Sequence, residues 1–89
     1  MINITISPSF KKAYSKRIKG NKRLELRVFE RIGLFQNDSR NKVLNNHYLI
    51  GKMKGLYSFS ITGDIRIIYQ WIDTERVFFL DIGSHNQVY

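Results

Sequence analysis

Three apolar segments separated by two short turns fill most of the last 35 residues and most constrain the fold. They span residues 56–61, 65–72 and 77–82. In the first segment, Tyr57, Phe59 and Ile61 alternate with serines, which is typical of a half-buried strand. The turns at 62–64 and 73–75 contain glycine, aspartate or threonine, which favour tight turns. The pattern predicts a three-stranded antiparallel meander.

The middle segment is predicted to be the central strand, covered on both faces, because its only polar residues are Arg66 and Gln70. If residues 62–64 form the loop, Ile61 lies opposite Ile65 and Ser60 lies opposite Arg66. Ser60 and Arg66 are then expected to share one face of the sheet. Residues 83–89 are interpreted as a polar tail.

A first strand and two helices are predicted before the meander. Alternating isoleucines over 2–6 indicate the strand. Ser7 and Pro8 suit the start of a helix that ends at Gly20, and Asn21 suits the cap of a second helix. Apolar residues then recur at helical spacing: Phe10, Ala13, Tyr14 and Ile18 in the first helix, and Leu24, Val28, Ile32 and Phe35 in the second.

This order of elements predicts an α+β fold, a small sheet with the helices packed on one face. A chain of 89 residues fits one domain, 1–89, with a modest core. The absence of cysteine excludes disulfides and thiolate metal sites, and two histidines do not indicate structural zinc. No apolar run reaches the roughly 20 residues of a membrane span. With no signal peptide either, we expect a cytoplasmic protein without a membrane partner.

The charge of the chain is strongly positive and unevenly distributed. The net charge is +8 and the pI is about 10.1. Residues 1–54 carry thirteen Lys or Arg against three Asp or Glu, whereas residues 55–89 carry two against four. A basic face of this strength favours a polyanion or an acidic protein as partner.

A basic connection at residues 45–55, expected to be mobile, joins the helices to the meander. It contains two glycines and two lysines, but it lacks the Walker spacing and no helix start follows it. Lys52 and Lys54 are predicted to contact backbone phosphates. An ordinary solvated role explains the same two lysines equally well.

The second half of the chain carries three short motifs in a fixed order. The first motif contains His47 and residues 49–51 and 54–55. The second is residues 63–69, and the third contains residues 81–85 and 88–89. Their order and spacing resemble the RelE/ParE superfamily of type II toxin–antitoxin toxins, and are most similar to its YafQ branch. The similarity in element order and size extends along the whole chain.

The resemblance implies a metal-independent endoribonuclease that uses no cofactor. Such toxins enter the ribosomal A site and cut the mRNA, with a 2′-hydroxyl attacking the neighbouring phosphate. It also implies a cognate antitoxin, usually acidic or partly disordered, that covers the basic surface. Through the antitoxin, the complex is expected to reach operator DNA.

The catalytic set that the resemblance implies is His85, Arg66, His47 and Asp64. His85 matches the histidine near the C-terminus that acts as general acid or base, a role that suits an imidazole. Arg66 matches an arginine that stabilises the phosphorane. The residues expected to contact the substrate are Lys52, Lys54, Tyr89 and Ser60, and Tyr89 matches the terminal aromatic that stacks on a base.

Three positions depart from the YafQ pattern. Ser60 replaces a histidine, Ile65 replaces a tryptophan, and Asp81 replaces an arginine. Serine is not a general base near neutral pH, and aspartate repels phosphate. An alternative therefore stays open, in which the protein is a non-nucleolytic toxin or homologue that binds a protein, either gyrase or only the antitoxin. A free-standing RNA-binding domain is a third possibility.

The aromatics Phe59, Tyr69, Trp71, Phe78 and Phe79 are predicted to be core residues rather than a base-stacking platform.

Overall fold

Five strands form one mixed sheet in the computed structural model, which describes residues Met1–Tyr89. The strands are β1 (Asn3–Ile6), β2 (His47–Tyr48), β3 (Tyr57–Ser60), β4 (Ile65–Trp71) and β5 (Arg76–Ser84). Their order across the sheet is β1-β5-β4-β3-β2, with β1 parallel to β5 and the other pairs antiparallel. The predicted meander and the central position of β4 are confirmed.

The register of the β3–β4 hairpin is the predicted one. Ser60 lies opposite Arg66, and the Ile61 N–H donates to the Ile65 carbonyl at 2.8 Å. The loop is therefore residues 62–64, where the Thr62 hydroxyl accepts hydrogen bonds from the backbone N–H groups of Asp64 and Ile65.

The two predicted helices are α1 (Pro8–Arg17) and α2 (Lys22–Asn37). Their caps are as expected: the Ser7 hydroxyl accepts from the Phe10 N–H at 2.9 Å, and the Asn21 side chain accepts from the Leu24 N–H at 3.1 Å. Helix α1 ends three residues before Gly20, which adopts φ +96° in the turn between the helices. No helix in the structure combines the length and apolar character needed to cross a bilayer.

Two segments that the sequence left without regular structure are folded. Residues 45–55, expected to be a mere connection, contain β2 and a 3-10 helix at Gly51–Met53. Residues 83–89 are not a polar tail, because β5 continues to Ser84 and a short helix α3 (His85–Val88) follows. Single buried residues anchor both segments, Leu49 in the first and Val88 in the second. One isolated apolar residue creates no periodicity, so the sequence pattern does not reveal either anchor.

The main core lies between the helices and one face of the sheet. Phe35 of α2 is fully buried and stacks on Phe59 of β3 with ring centroids 4.5 Å apart. It also meets the edges of Tyr69 and Phe79. Offset and edge-to-face contacts of this kind each stabilise by about 0.5–1.5 kcal/mol beyond the area they bury. The helices therefore cover one face of the sheet, as predicted.

A bulge in β5 divides its residues between the two faces of the sheet. Ile68 pairs with Asp81 while Tyr69 pairs with Phe79, so Leu80 is an extra residue without a partner on β4. The Leu80 carbonyl instead accepts a hydrogen bond from the Ser9 hydroxyl at 2.8 Å. Because one extra residue reverses the alternation, Asp81 lies on the face away from the helices.

Tyr69 provides a test of the core. Its hydroxyl donates to the Asn46 side chain at 2.8 Å, and burial raises the pKa of Tyr69 to about 12 from the ordinary 10.0. Tyr69→Phe leaves the Asn46 oxygen without this donor, so we expect the free energy of unfolding in urea at pH 7 to fall by about 1 kcal/mol. Tyr57→Phe, a half-buried neighbour on β3, is the matched control and is expected to change it by less than about 0.5 kcal/mol.

Alkaline pH gives this prediction a second readout. The folded protein keeps the Tyr69 proton up to the raised pKa, whereas the unfolded chain loses it near 10.0. Stability from this group is therefore complete below pH 10 and declines as pH rises towards 12. Tyr69→Phe should lack this part of the decline, and an identical decline in both proteins would contradict the assignment.

Candidate functional site

A second, smaller cluster of buried side chains lies on the sheet face away from the helices. It consists of Leu49, Ile68 and Val88, with Met53 and Leu56 packed against it. Ile68 belongs to the central strand, Leu49 to the segment after β2, and Val88 to α3. This cluster therefore fixes three separate parts of the chain against one another.

Beside this cluster is an open pocket of about 540 Å³, a volume within the range of small-ligand sites. Its lining residues are His47, Tyr48, Leu49, Ile50, Lys52, Met53, Arg66, His85 and Tyr89. Five of the eight residues predicted from the sequence are among them, although they come from four different elements. The other four lining residues, Tyr48, Leu49, Ile50 and Met53, were not predicted as site residues.

Arg66 lies in this pocket with an unused hydrogen-bond donor. Its Nε is buried and has no partner in the structure. Neither acidic residue considered in the sequence analysis, Asp64 or Asp81, forms an ion pair with it, since the two ion pairs of the structure join other arginines. The guanidinium stands 5.6 Å from the centre of the Tyr89 ring, as in cation–π contacts. The arginine is thus held in place while its charge remains available to an anion.

His85, the first residue of α3, and Tyr89, which follows its last residue, are one helical turn apart and touch each other. Their ring centroids are 4.5 Å apart in an edge-to-face arrangement. The Tyr89 N–H donates to the His85 carbonyl at 3.0 Å, and Val88 between them is buried against the sheet. Both rings are exposed at the mouth of the pocket.

His47 is oriented by the backbone of its own turn. Its Nδ1 lies 2.9 Å from the Asn45 carbonyl, which accepts hydrogen bonds only, so Nδ1 carries the proton. Asn45 presents that carbonyl from a left-handed conformation with φ +46°. In the neutral ring, Nε2 is then the atom able to accept a proton.

Three of the predicted residues do not line the pocket. Lys54 is exposed just after the 3-10 helix, and Asp64 is exposed in the hairpin loop. Ser60 is half-buried opposite Arg66, as its predicted register requires. The structure therefore brings together His85, Arg66, His47, Lys52 and Tyr89, and it leaves these three at other positions.

Asp81, the acidic departure from the family pattern, is paired away from the pocket. Arg17 at the end of α1 reaches its carboxylate at 3.1 Å and also donates to the Ile82 carbonyl at 3.0 Å. Sequence reasoning gave Arg17 no role, because 64 residues separate it from Asp81 and nothing local indicates the pairing. Arg17 therefore partly neutralises the negative charge of Asp81 whether or not an anion is bound in the pocket.

Gly83 offers a test of how α3 is positioned. The Gln87 side chain accepts from the Ser84 N–H at 2.8 Å, and a Cβ at Gly83 would stand 2.7 Å from that same Gln87 oxygen. The same Cβ would stand 2.9 Å from the Arg17 Nη1 atom. Gly83→Ala should therefore displace both side chains, lower the free energy of unfolding by about 1 kcal/mol, and speed amide hydrogen exchange in α3.

Gly63→Ala is the matched control, because nothing lies within 4 Å of the added methyl group. Unchanged exchange of the α3 amides in Gly83→Ala would contradict the proposed contact.

Comparison with known proteins identifies the family. A family model described as "Bacterial toxin of type II toxin-antitoxin system, YafQ" matches residues 2–89. YafQ from E. coli strain BL21(DE3) superposes with a TM-score of 0.76 at 20% identity, over 100% of this chain and 99% of that one. The E. coli DinJ–YafQ complex gives a TM-score of 0.74 at 21% identity, over 100% and 99%.

A YoeB/ParE toxin from Agrobacterium tumefaciens gives a TM-score of 0.76 at 18% identity, over 94% of this chain and 99% of that one. At these identities the structural matches show the shared fold, and they confirm the predicted RelE/ParE-like architecture. No curated protein shows significant sequence similarity to the chain. The match over nearly the whole sequence shows that this chain belongs to the YafQ family of bacterial type II toxin–antitoxin toxins.

Proposed function

We propose that this toxin is a ribosome-dependent mRNA endoribonuclease. The observation that carries the proposal is the guanidinium of Arg66, which forms no ion pair with an acidic residue and lies in a pocket that also contains two imidazoles and a lysine. A phosphate is a suitable partner for such a guanidinium, because its oxygens accept charge-assisted hydrogen bonds. The pocket lining contains no acidic residue that would repel the phosphate.

The reaction that fits this arrangement is internal transesterification of RNA. A base removes the proton of a ribose 2′-hydroxyl, whose oxygen attacks the adjacent phosphorus. The bond from phosphorus to the 5′-oxygen breaks, and an acid gives that leaving oxygen a proton. The products are a 2′,3′-cyclic phosphate and a 5′-hydroxyl end. We assign the acid or base role to His85, and His47 Nε2 is available for the complementary proton transfer. No metal takes part in this scheme.

Arg66 and Lys52 supply the positive charge that the transition state requires. The phosphorane gains negative charge on its non-bridging oxygens, and a guanidinium contacts two such oxygens at once. Tyr89, already in contact with His85 and Arg66, is placed to stack on a neighbouring base. In this proposal Lys54 contacts the RNA backbone outside the pocket. Asp64 and Ser60 do not line the pocket and take no direct part in the reaction.

The ion pair between Asp81 and Arg17 favours the nuclease over a catalytically silent homologue. An aspartate facing the phosphate would oppose binding, but Asp81 does not line the pocket and is paired at 3.1 Å. Ser60 stands where the family pattern has a histidine. In this scheme His47, which lies in the pocket, supplies the imidazole that Ser60 lacks.

The basic surface of α1 suits the ribosome as the site of action. Exposed lysines there surround a shallow depression lined by Pro8, Lys11, Lys12, Ser15 and Lys16. Surfaces of this kind bind nucleic acid through phosphates, without reading sequence. We propose that they contact ribosomal RNA while mRNA enters the pocket, which places the activity in the cytoplasm.

A cognate antitoxin is the proposed protein partner. An apolar groove of about 300 Å³ runs between β1 and the two helices, and is lined by Ile6, Phe10, Lys11, Tyr14, Glu25, Val28, Phe29 and Ile32. Phe29 is 77% exposed beside it. An acidic, amphipathic segment suits an apolar groove within a basic surface, and E. coli YafQ is known in a complex with DinJ. Contact with operator DNA would then be made by the antitoxin.

The catalytic assignment is tested by His85→Ala. Primer extension on a defined mRNA with programmed ribosomes should show cuts in the A-site codon with the wild-type toxin. The variant should cleave about 100- to 10,000-fold more slowly, the usual contribution of general acid–base catalysis. Asn86→Ala, also exposed on α3, is the matched control and should cleave normally. Equal cleavage by His85→Ala and the control would remove His85 from the mechanism.

The antitoxin surface is tested separately by Phe29→Ser. Because the ring is largely exposed, folding should be unchanged while antitoxin affinity falls at least tenfold in calorimetry. Ile72→Ser, 50% exposed in the β4–β5 turn, is the control and should bind normally. Ribosome-dependent cleavage by Phe29→Ser should stay at the wild-type rate, and unchanged antitoxin affinity would exclude this groove as the interface.

A further inference from the structure

A second pocket, of about 470 Å³, adjoins the candidate active site at β2. Its lining residues are Ser39, Arg40, Asn46, His47, Tyr48, Tyr57, Tyr69 and Trp71. His47 and Tyr48 line both pockets, so the two cavities are separated only by this short edge strand. None of the roles assigned above uses Arg40, Tyr57 or Trp71.

Aromatic rings in register across three strands form the wall of this second pocket. Tyr48 lies opposite Tyr57, and Tyr57 lies opposite Tyr69. The ring centroids are 5.2 Å apart in the first pair and 5.6 Å in the second. Tyr69 is fully buried and Tyr48 is 45% exposed, so the row leads from the core to solvent. The solvent-exposed end of this row is the aromatic ring of Tyr48, which a ligand can contact.

Polar groups complete the pocket. The Asn46 side chain is fixed at both ends, since its oxygen accepts from Tyr69 and its nitrogen donates to the Ser39 carbonyl at 2.8 Å. Arg40 is exposed and takes part in neither ion pair of the structure. The lining contains no carboxylate. A ligand with a planar aromatic group and a negative charge matches this combination.

We infer that the second pocket binds the base of an RNA nucleotide next to the scissile phosphate. The inference rests on the proposed nuclease function and extends it to a substrate subsite. With the scissile phosphate at Arg66, the RNA strand continues past His47, and the next exposed base of the RNA stacks on the tyrosine row. Arg40 contacts the phosphate of that nucleotide. The predicted core role of Trp71 is thus supplemented by a role at the rim of the pocket.

Trp71 makes the inference directly measurable, because it is the only tryptophan of the chain. A 2′-O-methyl RNA hexamer, which has no free 2′-hydroxyl to react, should quench its fluorescence in a saturable way. An abasic hexamer with the same phosphates should bind at least tenfold more weakly and quench little. Arg40→Gln should weaken binding of the RNA hexamer three- to tenfold and reduce its salt dependence.

Two matched variants complete the experiment. Arg23→Gln removes the same charge from the first turn of α2, at the far end of that helix from the pocket, and should weaken binding less than twofold. Tyr57→Leu removes a stacking surface while keeping apolar volume, and should weaken binding about tenfold. If Tyr57→Leu fails to fold, the comparison of Arg40→Gln with Arg23→Gln still decides the question.

Specific outcomes would overturn the subsite, and they differ from failure of the nuclease proposal. Equal quenching by the abasic hexamer, no quenching at all, or equal effects of Arg40→Gln and Arg23→Gln would each exclude it. If the wild-type toxin cleaves mRNA on ribosomes in any of these cases, the proposed function stands without the subsite. Base-dependent quenching together with no ribosome-dependent cleavage would support the pocket as an RNA site and reject the nuclease.

Discussion

The contact of Phe35 with the sheet is the interaction on which the rest of the structure depends. This side chain is fully buried, stacks on Phe59 at 4.5 Å, and meets rings from both β4 and β5. A single residue of α2 thus fixes that helix against three adjacent strands. Truncating such a ring typically costs about 3–5 kcal/mol, a large part of the stability of a domain of this size.

Because the helices occupy one face, the candidate site lies on the opposite face and has much less packing beneath it. The buried apolar cluster there has only three members, Leu49, Ile68 and Val88, against thirteen in the main core. Regions with few buried contacts open locally at lower free energy than the core does. The site is therefore built on a rigid strand, β4, but enclosed by segments that are individually weakly held. This arrangement suits the RNA substrate proposed for the pocket.

The sequence predicted the elements that repeat a pattern and missed those that depend on one contact. Alternation and helical spacing were sufficient for the two long helices, the meander and the Ser60–Arg66 register. They were insufficient for β2 and α3, whose anchors Leu49 and Val88 are single residues. The bulge at Leu80 has no signal in the sequence either, although it decides which face Asp81 occupies.

For the candidate site, the resemblance supplied residue identities and the structure supplied their proximity. His47, Arg66, His85 and Tyr89 belong to the motifs that carry the resemblance, and they line one pocket. Lys52, predicted from the basic connection at 45–55, lines the same pocket. The partner of Asp81 was beyond prediction, because the contact with Arg17 depends on how α1 lies along β5. Pairings across 64 residues follow from tertiary packing alone.

The arrangement of charge around Arg66 follows from these same features. The bulge places Asp81 on the face of Arg66, where an ion pair between the two would neutralise the arginine. Arg17 instead binds that carboxylate, and Asp64 stays exposed in its loop. Arg66 consequently keeps an unsatisfied buried donor, which typically costs about 1–3 kcal/mol in the free protein. The ion pair between Arg17 and Asp81 therefore preserves the positive charge of Arg66, on which the proposed phosphate contact depends, although neither Arg17 nor Asp81 lines the pocket.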